Sequence, residues 1–190
     1  DKLAGLVQAV ETDDRIQIHL NTRLTGVEGF VGNFKSTLAN GDASDTIEHG
    51  VAVVATGASA LQPDEYAYGQ DPRILTSLEL DEKFIADDPM LKSVNSAVFI
   101  QCVGSREPDR PYCSRVCCTH SIDNALELKR INPDMDVYVL YRDIRTYGER
   151  EYLYKKAREA GVVFIRYQLD DKPKLSIADG ELQIVVTDHV

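Results

Sequence analysis

Residues 96–142 read SAVFIQCVGSREPDRPYCSRVCCTHSIDNALELKRINPDMDVYVLYR, and this stretch decides the fold. SAVFIQCVG (96–104) is a nearly unbroken apolar run, the pattern of a strand buried on both faces. After a polar loop, CCTHSIDNALELKRI (117–131) brings Ile122, Ala125, Leu126, Leu128 and Ile131 round at helical spacing. DVYVLYR (136–142) is the next strand. Further on, REYLYKKAREAG (150–161) predicts a helix closed by Gly161, and VVFIRY (162–167) a third strand. KLSIADGELQIVVTD (174–188) predicts a hairpin turning at Asp179-Gly180. Strand–helix–strand–helix–strand followed by a hairpin is half of a doubly wound parallel sheet with an antiparallel flap. The fold class is therefore α/β, with a Rossmann-like sheet of the nucleotide-binding type.

Before this unit, residues 60–94 are rich in proline, glycine and charge, and predict a linker with a short helix at 77–86. VAVVATGAS (51–59) is a small apolar run, expected to be a strand buried on both faces. TIEHG (46–50) predicts a return strand, and RLTGVEGFVGNFKSTLANGD (23–42) two short strands with a hairpin signal at Asn40-Gly41. RIQIHL (15–20) alternates as a strand does, and KLAGLVQAVE (2–11) has helical apolar spacing. Three parts are expected: 1–62 with a helix, a β-meander and the small-residue strand; 63–94 as linker; and 95–190 as the sheet domain. The sequence shows no internal repeat and no low-complexity tract.

With 190 residues and 43% hydrophobic content, the chain is long and apolar enough to bury a core. A net charge of -10 argues against nucleic acid as a partner, because phosphates would be repelled. No apolar run is long enough for a membrane span, and no secretory signal is seen. The start at Asp1 and the end inside the alternation LQIVVTDHV predict an internal piece of a longer protein.

All four cysteines lie between residues 102 and 118, spaced C-x10-C-x3-C-C. An adjacent pair suits a disulfide framework poorly, so a reducing, cytoplasmic compartment is expected. In a doubly wound sheet, ligands gather at the carboxyl ends of the strands. Cys102 falls at that end of the first strand, Cys113 in the following loop, and Cys117 and Cys118 at the start of the helix. A helix N-terminus offers free N–H groups and a positive field, which favour thiolates. Arg106, Arg110 and Arg115 would add charge compensation.

Thiolates are soft ligands, and four of them match the count of a [4Fe-4S] cluster, though the spacing departs from C-x2-C-x2-C. A structural zinc site would show C-x2–4-C pairs, which are absent. Dithiol chemistry and plain core packing remain open, packing most of all for Cys102. Gly104-Ser105-Arg106 stands where a dinucleotide fold carries G-x-G-x-x-G, and no glycine follows until Gly148. NAD(P) is therefore not expected here.

Other candidates carry blander readings. His120 follows the cysteines and suits a helix surface better than a proton relay, while His19, His49 and His189 show no ligand spacing. Tyr141, Arg142, Asp143 and Arg145 follow the second strand, where a nucleotide ribose or phosphate would be read; a solvated charged loop is the default. Glu127, Lys129 and Arg130 read as a solvated helix face.

VAVVATGA ends in Ala55-Thr56-Gly57, small residues that allow close backbone approach to a ligand. This run resembles the second flavin-side motif of flavoproteins with two dinucleotide-binding domains. Taken with NTRLTGVEGFVGNF, FIQCVGSR, YCSRVCC and LYRDIRTYGERE, the chain resembles the A subunit of heterodisulfide reductase over nearly its whole length. The resemblance implies an iron–sulfur flavoprotein that relays electrons between FAD and a [4Fe-4S] cluster. It implies that Cys102, Cys113, Cys117 and Cys118 hold the cluster, and that Ala55, Thr56 and Gly57 lie against FAD. Gly104, Ser105 and Arg106 would be cofactor contacts beside the sulfurs. Residues 1–62 would then be part of an FAD domain. The implied partners are other subunits of a redox complex, disulfide-reducing ones and hydrogenase or ferredoxin-type donors. The amino-terminal G-x-G-x-x-G and the ferredoxin-type cysteine runs of that family are absent from this sequence. Two other readings stand beside it: a pyridine nucleotide-disulfide oxidoreductase domain using NAD(P)H and a dithiol, and a non-catalytic docking module.

Overall fold

The computed structural model describes residues 2–189, in two compact units, 1–59 and 60–190. The first begins with helix α1 (Lys2–Glu11) and continues as an antiparallel meander, β1 (Arg23–Phe30), β2 (Asn33–Asn40) and β3 (Ala43–His49), in that order in the sheet. The Asn40-Gly41 signal sits in the β2–β3 turn, where Asn40 pairs with Ala43. The register between β1 and β2 slips at Leu24/Gly26, a bulge. On β2 and β3 the Ser36 hydroxyl and His49 Nε2 are 2.7 Å apart, and the His49 ring stacks on Phe34.

Two expected strands of this unit do not form. RIQIHL (15–20) is irregular, and VAVVATGAS (51–59) has no regular structure and lies exposed, Val53 by 88%. A strand needs backbone partners on a neighbouring chain segment. Here β1, β2 and β3 pair with one another and none pairs with 51–59. The apolar pattern was legible; the partner that would make it a strand is not among the described residues.

The second unit opens with helices α2 (Ser77–Ile85) and α3 (Met90–Ser93). A reciprocal capping box starts α2: Glu79 N donates to Thr76 Oγ1 at 3.3 Å and Thr76 N to Glu79 Oε2 at 2.6 Å. Then come β4 (Ser96–Ile100), α4 (Cys117–Ile131), β5 (Asp136–Tyr141), α5 (Glu151–Glu159) and β6 (Val163–Arg166). The sheet is parallel in the order β4-β5-β6, the α/β architecture expected. Gly161, at φ 83°, follows α5. Its N–H bonds Arg158 O and that of Val162 bonds Ala157 O, the paired bonds of a Schellman cap. The flap is the hairpin β7 (Lys174–Ala178) and β8 (Glu181–Val185).

The core lies on one face of the sheet. Phe99, Val139 and Phe164 align across β4, β5 and β6, and Ala97 aligns with Val137. Against them pack Ile122, Ala125 and Leu128 of α4 and Ala157 of α5, with Leu91 of α3 and Met135. Both α4 and α5 pack on this face, and each begins after the carboxyl end of the strand before it.

Candidate functional site

The three strand ends converge on the cysteine loop. β4 stops at Ile100, and Cys102 lies just beyond it in the left-handed region, at φ 63°. Gly104 (59°), Arg106 (59°) and Arg115 (62°) share that conformation. For non-glycine residues this backbone costs on the order of 1 kcal/mol or more, so surrounding contacts must hold it.

Those contacts are specific. Arg142, 8% exposed at the end of β5, donates from Nη1 to Arg106 O at 3.0 Å and from Nη2 to Ser105 O at 2.6 Å. Arg166, the last residue of β6, donates from Nε to Arg142 O at 3.2 Å. Buried Tyr167 donates its hydroxyl to Gln101 O, and burial raises its pKa above the ordinary phenol range, with a further push from Cys102. The first part of YRDIRTYGER, 141–146, is thus no solvated loop, whereas 147–150 are exposed. Arg142 turns inward and clamps the Cys102–Arg106 turn, and Asp143 gathers arginines from three segments. A buried guanidinium forked onto two carbonyls is favoured because each bond is charge-assisted.

The four thiols are free. Cys117 begins α4, where N–H groups have no intrahelical partner. The Cys118 thiol donates to the Cys117 sulfur, and Ser114 and the helix amides add to it; against the opposing effect of burial, they pull Cys117 down to about 6. Cys118 is 3% exposed. Its bond to Cys117, then burial, push it well above the usual thiol range, although the Arg145 peptide N–H faces its sulfur. Asp143 O, 3.7 Å from the Cys118 sulfur, is the alternative acceptor for the same thiol proton. Cys102 Sγ accepts from Arg106 Nη1 at 3.8 Å, and Cys113 Sγ accepts from Arg115 N at 3.4 Å.

The chemistry of the donor set, thiols on a loop running into a helix start, fits a soft metal or an iron–sulfur group. Their placement is less complete. Cys117 and Cys118 touch, and Cys118 feels the charge of Cys102, whereas Cys113 shares no bond with the other three. Among the described residues no group of three or more His, Cys, Asp or Glu side chains is placed to hold a metal ion.

The remaining candidates separate. Arg110 N and O pair with Glu107 across a tight turn of the cysteine loop. Ala55, Thr56 and Gly57 lie in the exposed irregular segment of the first unit, with Gly57 at φ 66°. His120 is no free surface histidine: its Nε2 is 2.7 Å from Asp81 Oδ2 and ties α4 to α2. Lys129 also departs from the solvated face, donating to Met135 O at 2.9 Å, while Glu127 and Arg130 do pair with each other on the surface. Sequence reasoning passed over Tyr167; an apolar strand running directly into a tyrosine was the available signal. No helix among the described residues is long and apolar enough to cross a membrane.

No family model matches the chain. Individual relatives do. The A subunit of the H(2):CoB-CoM heterodisulfide,ferredoxin reductase of Methanothermobacter marburgensis is 40% identical over 136 residues, covering 63% of this chain and 21% of that protein. The A subunit of the H(2)/formate:CoB-CoM heterodisulfide,ferredoxin reductase of Methanococcus maripaludis is 38% identical over 136 residues, covering 63% and 21%. The iron-sulfur A1 subunit of the CoB--CoM heterodisulfide reductase of Methanopyrus kandleri is 36% identical over 136 residues, covering 62% and 20%. The chain therefore spans about a fifth of the length of the curated relatives it matches. At these identities it is a homologue of the heterodisulfide reductase A subunits, whose names mark them as components of oxidoreductases.

Proposed function

We propose that this chain is a segment of an electron-transferring oxidoreductase subunit of the heterodisulfide reductase A type, one that holds FAD and a [4Fe-4S] cluster. What supports the reading is that every cysteine of the chain lies on the loop and helix start that follow β4, in a homologue of proteins named iron-sulfur subunits. Cys102, Cys113, Cys117 and Cys118 would hold the cluster. A bound cluster of this kind supplies one-electron exchange, for which no side chain has to act as acid or base. The protein's part is to hold the sulfurs, limit water and fix the local charge. Buried Cys118, the amides at the start of α4 and the Arg142 clamp serve those ends.

Residues 1–62 belong in this reading to an FAD domain, with Ala55, Thr56 and Gly57 against the flavin. Residues 63–94, expected as a linker, carry α2 and α3, which pack in the second unit, and 95–190 form the rest of the cluster-bearing domain. Gly104, Ser105 and Arg106 border the cofactor. The inward turn of Arg142 supports a site that does without NAD(P). Partners would be other subunits of a cytoplasmic redox complex, including disulfide-reducing ones and hydrogenase or ferredoxin-type donors.

Iron and acid-labile sulfide analysis of anaerobically prepared protein tests this, with Cys113→Ala and Cys117→Ala beside the parent. The parent is expected to give an electron-paramagnetic-resonance signal that both variants lose. An intact signal in both variants would defeat the ligand assignment. One observation favours a second reading, dithiol chemistry: Cys117 and Cys118 are free thiols side by side at the start of α4, bonded to each other. It requires reversible thiol titration without iron, so the same analysis separates the two.

A further inference from the structure

Asp143 lies just past β5 and meets three arginines from three different segments. Arg106 Nη2 is 2.6 Å away, Arg145 Nη2 3.8 Å and Arg166 Nη2 3.9 Å. Arg142, buried behind it, is spent on the loop carbonyls. Three positive charges against one negative leave a local surplus on a chain whose net charge is -10. This node is joined to two sulfurs. Arg106 reaches Cys102 Sγ through Nη1 while its Nη2 holds Asp143. Asp143 O is the alternative acceptor for the Cys118 thiol, and the next peptide but one, Arg145 N–H, faces the same sulfur. Arg106 is shielded, at 21% side-chain exposure, whereas Asp143 is nearly half exposed, at 45%, so the field of Arg106 reaches the sulfurs with less screening than a free surface charge would.

We propose that Asp143 and its arginines set the electrostatic potential at the cysteine sulfurs: Arg106 stabilises added negative charge there, and Asp143 opposes it. Asp143 also fixes where Arg106 points, so the pair works as a positioning and tuning device rather than as a catalytic group. An electron arriving at the sulfur site adds one negative charge, and the node decides how favourable that is. This last step rests on the iron–sulfur reading; the effect of the node on the sulfurs does not.

The test therefore has two arms. In the metal-free chain, Cys102 is alkylated with iodoacetate and with iodoacetamide, and the rates are read by peptide mass spectrometry. Both reagents attack the same thiolate, so their ratio reports local potential and not the extent of ionisation. Arg106→Gln is expected to lower the iodoacetate-to-iodoacetamide ratio at Cys102 about threefold or more, and Asp143→Asn to raise it by a similar factor. Arg106→Lys keeps the charge and should hold the ratio near the parent's. Arg166→Gln, on a more exposed side chain, gives a smaller fall and guards against a variant that does not fold. In iron-loaded protein the midpoint potential should fall in Arg106→Gln and rise in Asp143→Asn, a tenfold change in a one-electron equilibrium being about 59 mV. Absence of iron from the parent sinks the iron–sulfur reading and leaves the ratio to decide the node. Ratios unchanged in every variant, or moving the same way in Arg106→Gln and Asp143→Asn, overturn the proposal.

Discussion

Replacing Arg142 with methionine isolates the clamp on the cysteine loop. The side chain is 8% exposed, so an apolar chain of similar length fits the site without leaving a charge buried. The change removes two charge-assisted hydrogen bonds, at 3.0 Å to Arg106 O and 2.6 Å to Ser105 O. Bonds to charged groups contribute about 1.5–3 kcal/mol each. Taking the lower figure for each bond, the sum is about 3 kcal/mol. The loss is local, because Arg142 stands outside the apolar cluster around Ile122 and Val139. Within the loop, Arg106 N bonds Tyr112 O and Glu107 N bonds Arg110 O. Amide hydrogen exchange over residues 103–112 should therefore quicken by about 100-fold, while the amides of α4 keep their protection. Arg142→Lys keeps the charge and can reach one carbonyl at a time, so a gain of about tenfold is expected. Loop exchange in Arg142→Met equal to the parent's, with the fold intact, would refute the clamp.

Other outcomes follow from the same structure. Ile122 is fully buried, so Ile122→Ala should cost about 3 kcal/mol in urea unfolding, whereas Val53→Ala, at a residue 88% exposed, should change stability by less than about 0.5 kcal/mol. Thr76→Ala removes the capping box of α2 and should cost about 1 kcal/mol in the same assay. In the metal-free, reduced chain, Cys117 sits at about 6 against an unfolded value near 9.0, so the unfolded state binds more protons between them. Its contribution to stability is present above the unfolded value and disappears as pH falls through 6. The urea midpoint of the parent should exceed that of Cys117→Ser by an amount that shrinks over pH 9 to 6; a constant difference would contradict it. Cys118 has the opposite sign: its raised value favours the folded state until pH climbs past the unfolded thiol range, after which stability falls.

Local pattern alone was enough for most elements, although the short helix α3 within the stretch expected as linker was not read. The helix over 117–131 is legible at its observed bounds because its apolar stripe is a property of the residues themselves. The three parallel strands, the Gly161 cap, the meander and the Asp179-Gly180 hairpin were legible for the same reason. So was the placing of Cys117 and Cys118 at a helix start, which follows from where the periodicity begins. VAVVATGAS shows the limit: small apolar residues say that a strand is possible, and only a neighbour with free N–H and C=O groups makes one.

What tertiary structure alone decided is which charges turn inward. Nothing in the letters of YRDIR separates buried Arg142 from partly exposed Arg145, because the difference lies in two carbonyls more than thirty residues away. The same holds for His120 on Asp81 and for Arg106 between Cys102 and Asp143. A sequence fixes periodicity and therefore elements. It leaves open the pairing of polar groups across elements, since a buried charge is tolerated only where the folded chain happens to bring its partner.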